Sequence, residues 1–149
     1  MKMLLFGAMA VLILGAGLMA GCIDQVADPD LDFHILEVTT NTTSPNPESV
    51  KADGGYHFVY VKVRVENENK DADLTIVPKT FTLDDNSSTE VKGKFLANND
   101  MRRIDSIRVD AYDEKIFWVV FQVPEDKDML YMRYRGTLDE PVEQKMPDY

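Results

Sequence analysis

The chain has 149 residues and a formal net charge of −10, from 16 Lys and Arg against 26 Asp and Glu. That length leaves room for one domain rather than two, and the charge disfavours nucleic acid and anionic lipid as partners, because both would repel it. A single cysteine excludes an intramolecular disulfide and any cysteine-based metal cluster.

The first predicted element is a targeting segment over residues 1–21. Lys2 supplies a positive start, and residues 3–20 are an apolar run broken only by small residues. Its removal takes away Lys2 as the only charge, so −10 becomes −11 for the exported part. Cys22 ends the run in Leu18-Met19-Ala20-Gly21-Cys22, which resembles a lipobox. Small residues admit the backbone to the signal peptidase, and the thiol is the nucleophile that takes a diacylglyceryl group. Two alternatives are an uncleaved transmembrane anchor, for which the apolar run is short of the roughly 20 residues a bilayer needs, and plain secretion. All three place the domain outside the cytoplasm. The first predicts a lipid anchor at Cys22, on the outer face of the cytoplasmic membrane or at the cell surface.

Residues 22–32 are acidic and turn-prone and read as a tether. Beyond it, segments rich in Val, Ile, Phe, Tyr and Thr alternate with Asn, Asp, Gly and Pro, the pattern of an all-β sandwich. Predicted strands cover residues 33–40, 56–66, 73–77, 80–83, 90–96, 104–109, 115–123 and 129–135. In the second, Val59, Val61, Val63 and Val65 alternate with Phe58, Tyr60, Lys62 and Arg64, so the valines share one face, the core face. Residues 116–123 are apolar on both faces, as a central strand with a covered outer side would be. The short connection at 124–128 predicts an antiparallel hairpin, and 41–55 a long surface loop. The expected fold is an Ig-like antiparallel β-sandwich of about seven to eight strands over 33–136, preceded by a signal-peptide helix and followed by a tail at 137–149.

The segments Tyr60-Val61-Lys62-Val63-Arg64-Val65-Glu66-Asn67, Phe81-Thr82-Leu83-Asp84-Asp85, and Phe121-Gln122-Val123-Pro124 followed by Leu130-Tyr131-Met132-Arg133-Tyr134 keep a characteristic order. In it the chain resembles the telokin-like, Ig-fold domains of prokaryotic exported lipoproteins grouped with the domain of unknown function DUF4352 and the immunoprotective antigen MPT63. The resemblance covers about residues 33–135. It departs from the family pattern at Asp113-Glu114, where a Pro-Gly pair is usual. It implies an Ig-like sandwich exposed at the cell surface, with no enzyme activity and no functional residues to carry over.

Candidate chemistry is sparse. His34 and His57 lack the spacing of a zinc-protease motif, and the serines lack a nucleophile-elbow context. Acidic and amide residues gather at three predicted loop tips, Asp84 to Asn86, Asn98 to Asp100, and Glu125 to Asp128. These offer oxygens to calcium but lack an EF-hand spacing, and solvated turns are the simpler reading. Asn41-Thr42-Thr43 and Asn86-Ser87-Ser88 both match the N-glycosylation sequon.

Strand parity supplies the most pointed expectation. With Phe117, Val119, Phe121 and Val123 facing the core, Trp118 faces out. With Leu130, Met132 and Tyr134 facing in, Tyr131, Arg133 and Arg135 face out. The hairpin would then present an aromatic and basic binding face, in residue types favoured at binding hot spots. A covered Trp118 would instead favour a structural role.

The sequence therefore predicts a membrane-anchored extracytoplasmic lipoprotein whose domain is a non-enzymatic binding module, with no cofactor and no metal. Its partners would be the membrane, through the lipid, and an envelope or extracellular protein, with no nucleic acid. The first alternative is a structural envelope protein without a specific ligand; the second is a hydrolase or metal enzyme with dispersed residues.

Overall fold

The computed structural model describes residues 31–41, 50–135 and 141–149. The signal segment, Cys22, the tether up to residue 30, residues 42–49 of the long loop and residues 136–140 lie outside the described residues. The elements in chain order are β1 (Leu31–Asn41), β2 (Tyr56–Asn67), β3 (Leu74–Ile76), a 3-10 turn (Pro78–Thr80), β4 (Phe81–Asp84), β5 (Glu90–Lys92), β6 (Phe95–Ala97), β7 (Arg103–Ile104), β8 (Ile107–Val109), β9 (Glu114–Pro124), β10 (Tyr131–Tyr134) and β11 (Val142–Lys145).

They form an antiparallel β-sandwich. One sheet has the order β1-β2-β9-β6-β7, the facing sheet the order β11-β10-β4-β5, and β3 and β8 make a two-stranded ribbon. The valines of β2 and Phe117, Val119, Phe121 and Val123 of β9 all point into the space between the sheets, as alternation requires. There they meet Phe81 and Leu83 of β4 and Met132 and Tyr134 of β10. Phe81 organises the centre, with its ring 5.6 Å from Phe33 and 5.1 Å from Tyr134 in edge-on contacts.

Several expectations need correction. Among the described residues there are eleven strands instead of seven or eight, because two predicted strands are each split in two and the predicted tail adds a strand of its own. Residues 90–96 become β5 in one sheet and β6 in the other, with Gly93 at the crossing. A Cβ on Gly93 would lie 2.2 Å from the Pro78 carbonyl oxygen, so only glycine lets the crossing strand pass the 3-10 turn this closely. Residues 104–109 likewise divide into β7 and β8, which belong to different sheets. The predicted tether ends earlier than residue 32, since Leu31 and Asp32 already pair with β2. The predicted tail contains β11, which pairs with β10.

The predicted hairpin of β9 and β10 does not exist. Pro124 ends β9, the Glu125 N–H donates to the Gly55 carbonyl (3.0 Å), and the chain crosses to the other sheet. Met129 is buried on the way, and the Leu130 N–H donates to the Asp84 carbonyl (2.8 Å) to start the new pairing. Leu130 itself is exposed, against the inward position predicted for it.

The two ends of the sandwich are distinct. Leu31 pairs with Asn67, and Glu66 with Glu114, at the end where β1 begins; Asn41 pairs with Phe58, and Tyr56 with Pro124, at the other. The turn between β4 and β5 belongs to this second end, because Lys127 Nζ lies 3.8 Å from the Asp85 carboxylate.

Candidate functional site

The residues expected to form one binding face occupy two different sheets. Trp118 does face outward from β9, but only 7% of its surface is exposed. It belongs to a second apolar cluster on the outer face of the five-stranded sheet, with Phe58, Tyr60, Phe95, Ala97 and Val120. Ala52 and Met101 pack against this cluster from neighbouring loops. Met101 holds a left-handed backbone (φ 60°). Two cations stack on the rings: Lys62 Nζ lies 5.3 Å from the Trp118 ring centre and the Arg103 guanidinium 5.6 Å from that of Phe95. A hydrogen-bond chain runs beside them, from Lys94 Nζ to Gln122 (2.8 Å) and from the Gln122 amide to Asp53.

Tyr131, Arg133 and Arg135 lie on or just after β10, in the four-stranded sheet. Tyr131 stands between Asp84 and Lys145 in register, and Arg133 between Thr82 and Glu143. The Arg133 guanidinium donates to Glu143 (2.6 Å) and to Asp84 (3.0 Å), and these carboxylates, Glu143 foremost, hold its pKa above the usual arginine value. Its charge is therefore already matched within the sheet. Arg135 is exposed, with its backbone N–H bonded to the Thr80 carbonyl (3.0 Å). The basic and aromatic face predicted for one hairpin is thus corrected. Met132 and Tyr134 face in and Trp118 faces out of its sheet as alternation requires, but Leu130 does not follow the predicted parity, and β9 and β10 lie in different sheets.

The histidines are separated as well. His34 pairs in register with Arg64, seven positions along β2 from His57. Its Nε2 lies 3.3 Å from Asp32 and 3.9 Å from Glu66, and Arg64 Nε lies 3.0 Å from Glu66, so the charges here compensate one another. Among the described residues, no three of His, Cys, Asp and Glu are placed to hold a metal. The acidic loop tips serve their own turns. The Asp84 carboxylate accepts the Asn86 N–H (2.7 Å), and Asp85 accepts those of Ser87 (3.0 Å) and Thr89 (2.9 Å). Donation from Thr89, and with it from Ser87, holds the Asp85 carboxyl well below the usual carboxylate range. Asn98 likewise accepts the N–H groups of Asp100 and Arg102.

Sequence reasoning missed Asn67 as an anchor. It is 2% exposed, and its amide donates to the carbonyls of Ala72 (2.8 Å), Val109 (3.1 Å) and Asp110 (3.2 Å) while its oxygen accepts the Asn69 N–H (3.1 Å). The signal was present, because the valine alternation of β2 continues inward to position 67. This anchor floors an open cleft of about 550 Å³ lined by Glu66, Glu68, Tyr112, Asp113 and Glu114. Tyr112, 73% exposed, sits at φ 56° in the turn closed by the Asp113 N–H and the Asp110 carbonyl (3.1 Å). The turn that precedes β9 thus holds an aromatic residue in a left-handed position. Lys115 binds Asp113 at 2.7 Å and holds its carboxyl below the ordinary value. A shallower groove of about 400 Å³ follows the seam where His34 and Ile35 of β1 meet residues 144–148.

A family model described as a domain of unknown function, DUF4352, matches residues 23–143. Among solved structures, an uncharacterized β-sandwich protein from Clostridium difficile 630 is similar over 82% of this chain and 88% of its own, at 11% identity and a TM-score of 0.49. No curated protein matches the chain.

Proposed function

The chain belongs to the DUF4352 family, and from that premise we propose that it is an extracytoplasmic lipoprotein, anchored through Cys22, whose sandwich is a non-enzymatic interaction module. The observation that carries this reading is the position of β1. The first strand begins at Leu31, nine residues after the chain's only cysteine, and nine extended residues reach at most about 30 Å. A lipid on Cys22 would hold the sandwich close to the bilayer, with the Asn67 and Glu114 end inward. The end bearing Tyr56, Pro124 and the turn at residues 85–89 would face outward. Tyr56 and Leu130 are exposed there, where a partner would be met.

Replacing Cys22 by Ser should abolish acyl labelling and release the protein from membranes. An unmodified, uncleaved N-terminus in the intact mass of the wild-type protein would overturn the anchor. A photo-crosslinker at position 56 in intact cells should give a discrete adduct. The second reading, a structural envelope protein, is favoured by the burial of Trp118 and the ion pairing of Arg133, and absence of any adduct would select it.

A further inference from the structure

Of the two sequons, Asn86-Ser87-Ser88 lies wholly within the described residues, at the tip of the β4–β5 hairpin. We infer that Asn86 is an N-glycosylation site, and that its glycan stands at the end of the sandwich farthest from the membrane. The inference rests on the export reading above, because the transferase works outside the cytoplasm.

Asn67, Asn69 and Asn98 use their side chains inside the fold, bonding backbone groups of their own or distant loops. None of the three has Ser or Thr two residues on. Asn86 does, and it is exposed. Its backbone N–H is bound to Asp84, yet its side-chain amide and the Ser88 hydroxyl have no partner among the described residues. The left-handed backbone of Asn86 (φ 59°) sits at the tip of a turn tied together by Asp85, so the amide projects from a fixed point. The turn packs near Lys127, beyond the Pro124 end of β9. Asn41, the other sequon asparagine, ends β1 opposite Phe58 at this same end. Both asparagines thus lie at the end of the sandwich opposite the point where the chain enters the domain, and for Asn41 the separation is the length of β1, about 33 Å at roughly 3.3 Å per residue.

The donor is an oligosaccharide carried on a polyprenyl phosphate or diphosphate. The Asn86 amide nitrogen attacks the anomeric carbon and forms a C–N bond. The C–O bond to phosphate breaks, the phosphate keeps the electron pair, and the amide gives up one proton to a base of the transferase. Asn86 is exposed at the tip of the turn, so the fold need not change to accept a sugar there.

The test uses the full-length protein expressed from its own gene in its native host and recovered from membranes. Mass spectrometry of the peptide containing Asn86 should show a carbohydrate mass increment. Ser88→Ala, which keeps Asn86 and the turn, and Asn86→Gly, which tolerates the left-handed backbone, should each remove that increment completely. Protease digestion of intact cells reports export separately. An exported protein with a bare Asn86 overturns the glycan and leaves the export reading standing. A protected protein with a bare Asn86 overturns both. An increment that survives Ser88→Ala also overturns the assignment.

Discussion

Asn67 shows how one polar side chain can carry the organisation of a strand end. It follows four inward valines at the same parity, and in place of apolar contact its amide donates to the end of β8 and the loops beside it and its oxygen accepts from the Asn69 N–H. Asn67→Ala would remove the buried amide that ties the Ala72, Val109 and Asp110 carbonyls to the end of β2, at a cost of about 1–3 kcal/mol. A lower midpoint of urea unfolding with an unchanged slope would report it. Asp85 works in the same way at the opposite end, but as an anion. Its carboxyl is held below the unfolded value of 3.8, so the stability it adds is full above that pH. It is lost as pH falls through the depressed value. Acid titration of Asp85→Asn should therefore show a weaker fall of stability below about pH 4 than the wild type shows.

Strand β9 carries apolar residues on both faces because it is covered on both. Trp118→Ala should cost about 3–5 kcal/mol, the usual loss for a buried aromatic, measured by thermal or denaturant unfolding. A melting temperature within a degree of wild type would show that the outer cluster is not a packed layer. The outward parity of Trp118 was legible in the sequence, since alternation is a local property of the strand. Its cover was not, because Ala52 and Met101 arrive from loops whose positions depend on distant pairings. β2 and β9 were legible for the same local reason, nearly to their ends. The division of residues 90–96 was hidden because a strand that changes sheets keeps its apolar character, and the one mark of the crossing, Gly93, matters only through its approach to Pro78. β11 was hidden for a different reason. Val142-Glu143-Gln144-Lys145 is an edge strand held by backbone pairing, with little apolar alternation to reveal it.

The whole molecule is polar in the geometric sense. The chain enters beside Asn67, where Glu66, Glu68, Asp113 and Glu114 gather, and the hairpin tips and the turn after Pro124 lie at the far end. β1 is the first strand of the described residues, it lies at the edge of its sheet, and it pairs with β2 along nearly its whole length, with one register shift between Ile35 and Glu37. This arrangement has a mechanical consequence. If the chain is anchored at Cys22 as proposed, a pull between that anchor and anything held at the far end would act along the axis of β1, so it would load the β1–β2 hydrogen bonds in shear, all together. A pull across the strand would open them one at a time, like a zip. Such an anchor would load the domain in the direction in which a β-ladder resists force best, and the shift near Leu36 divides that ladder into two segments, the first of which would yield before the second bore the load alone.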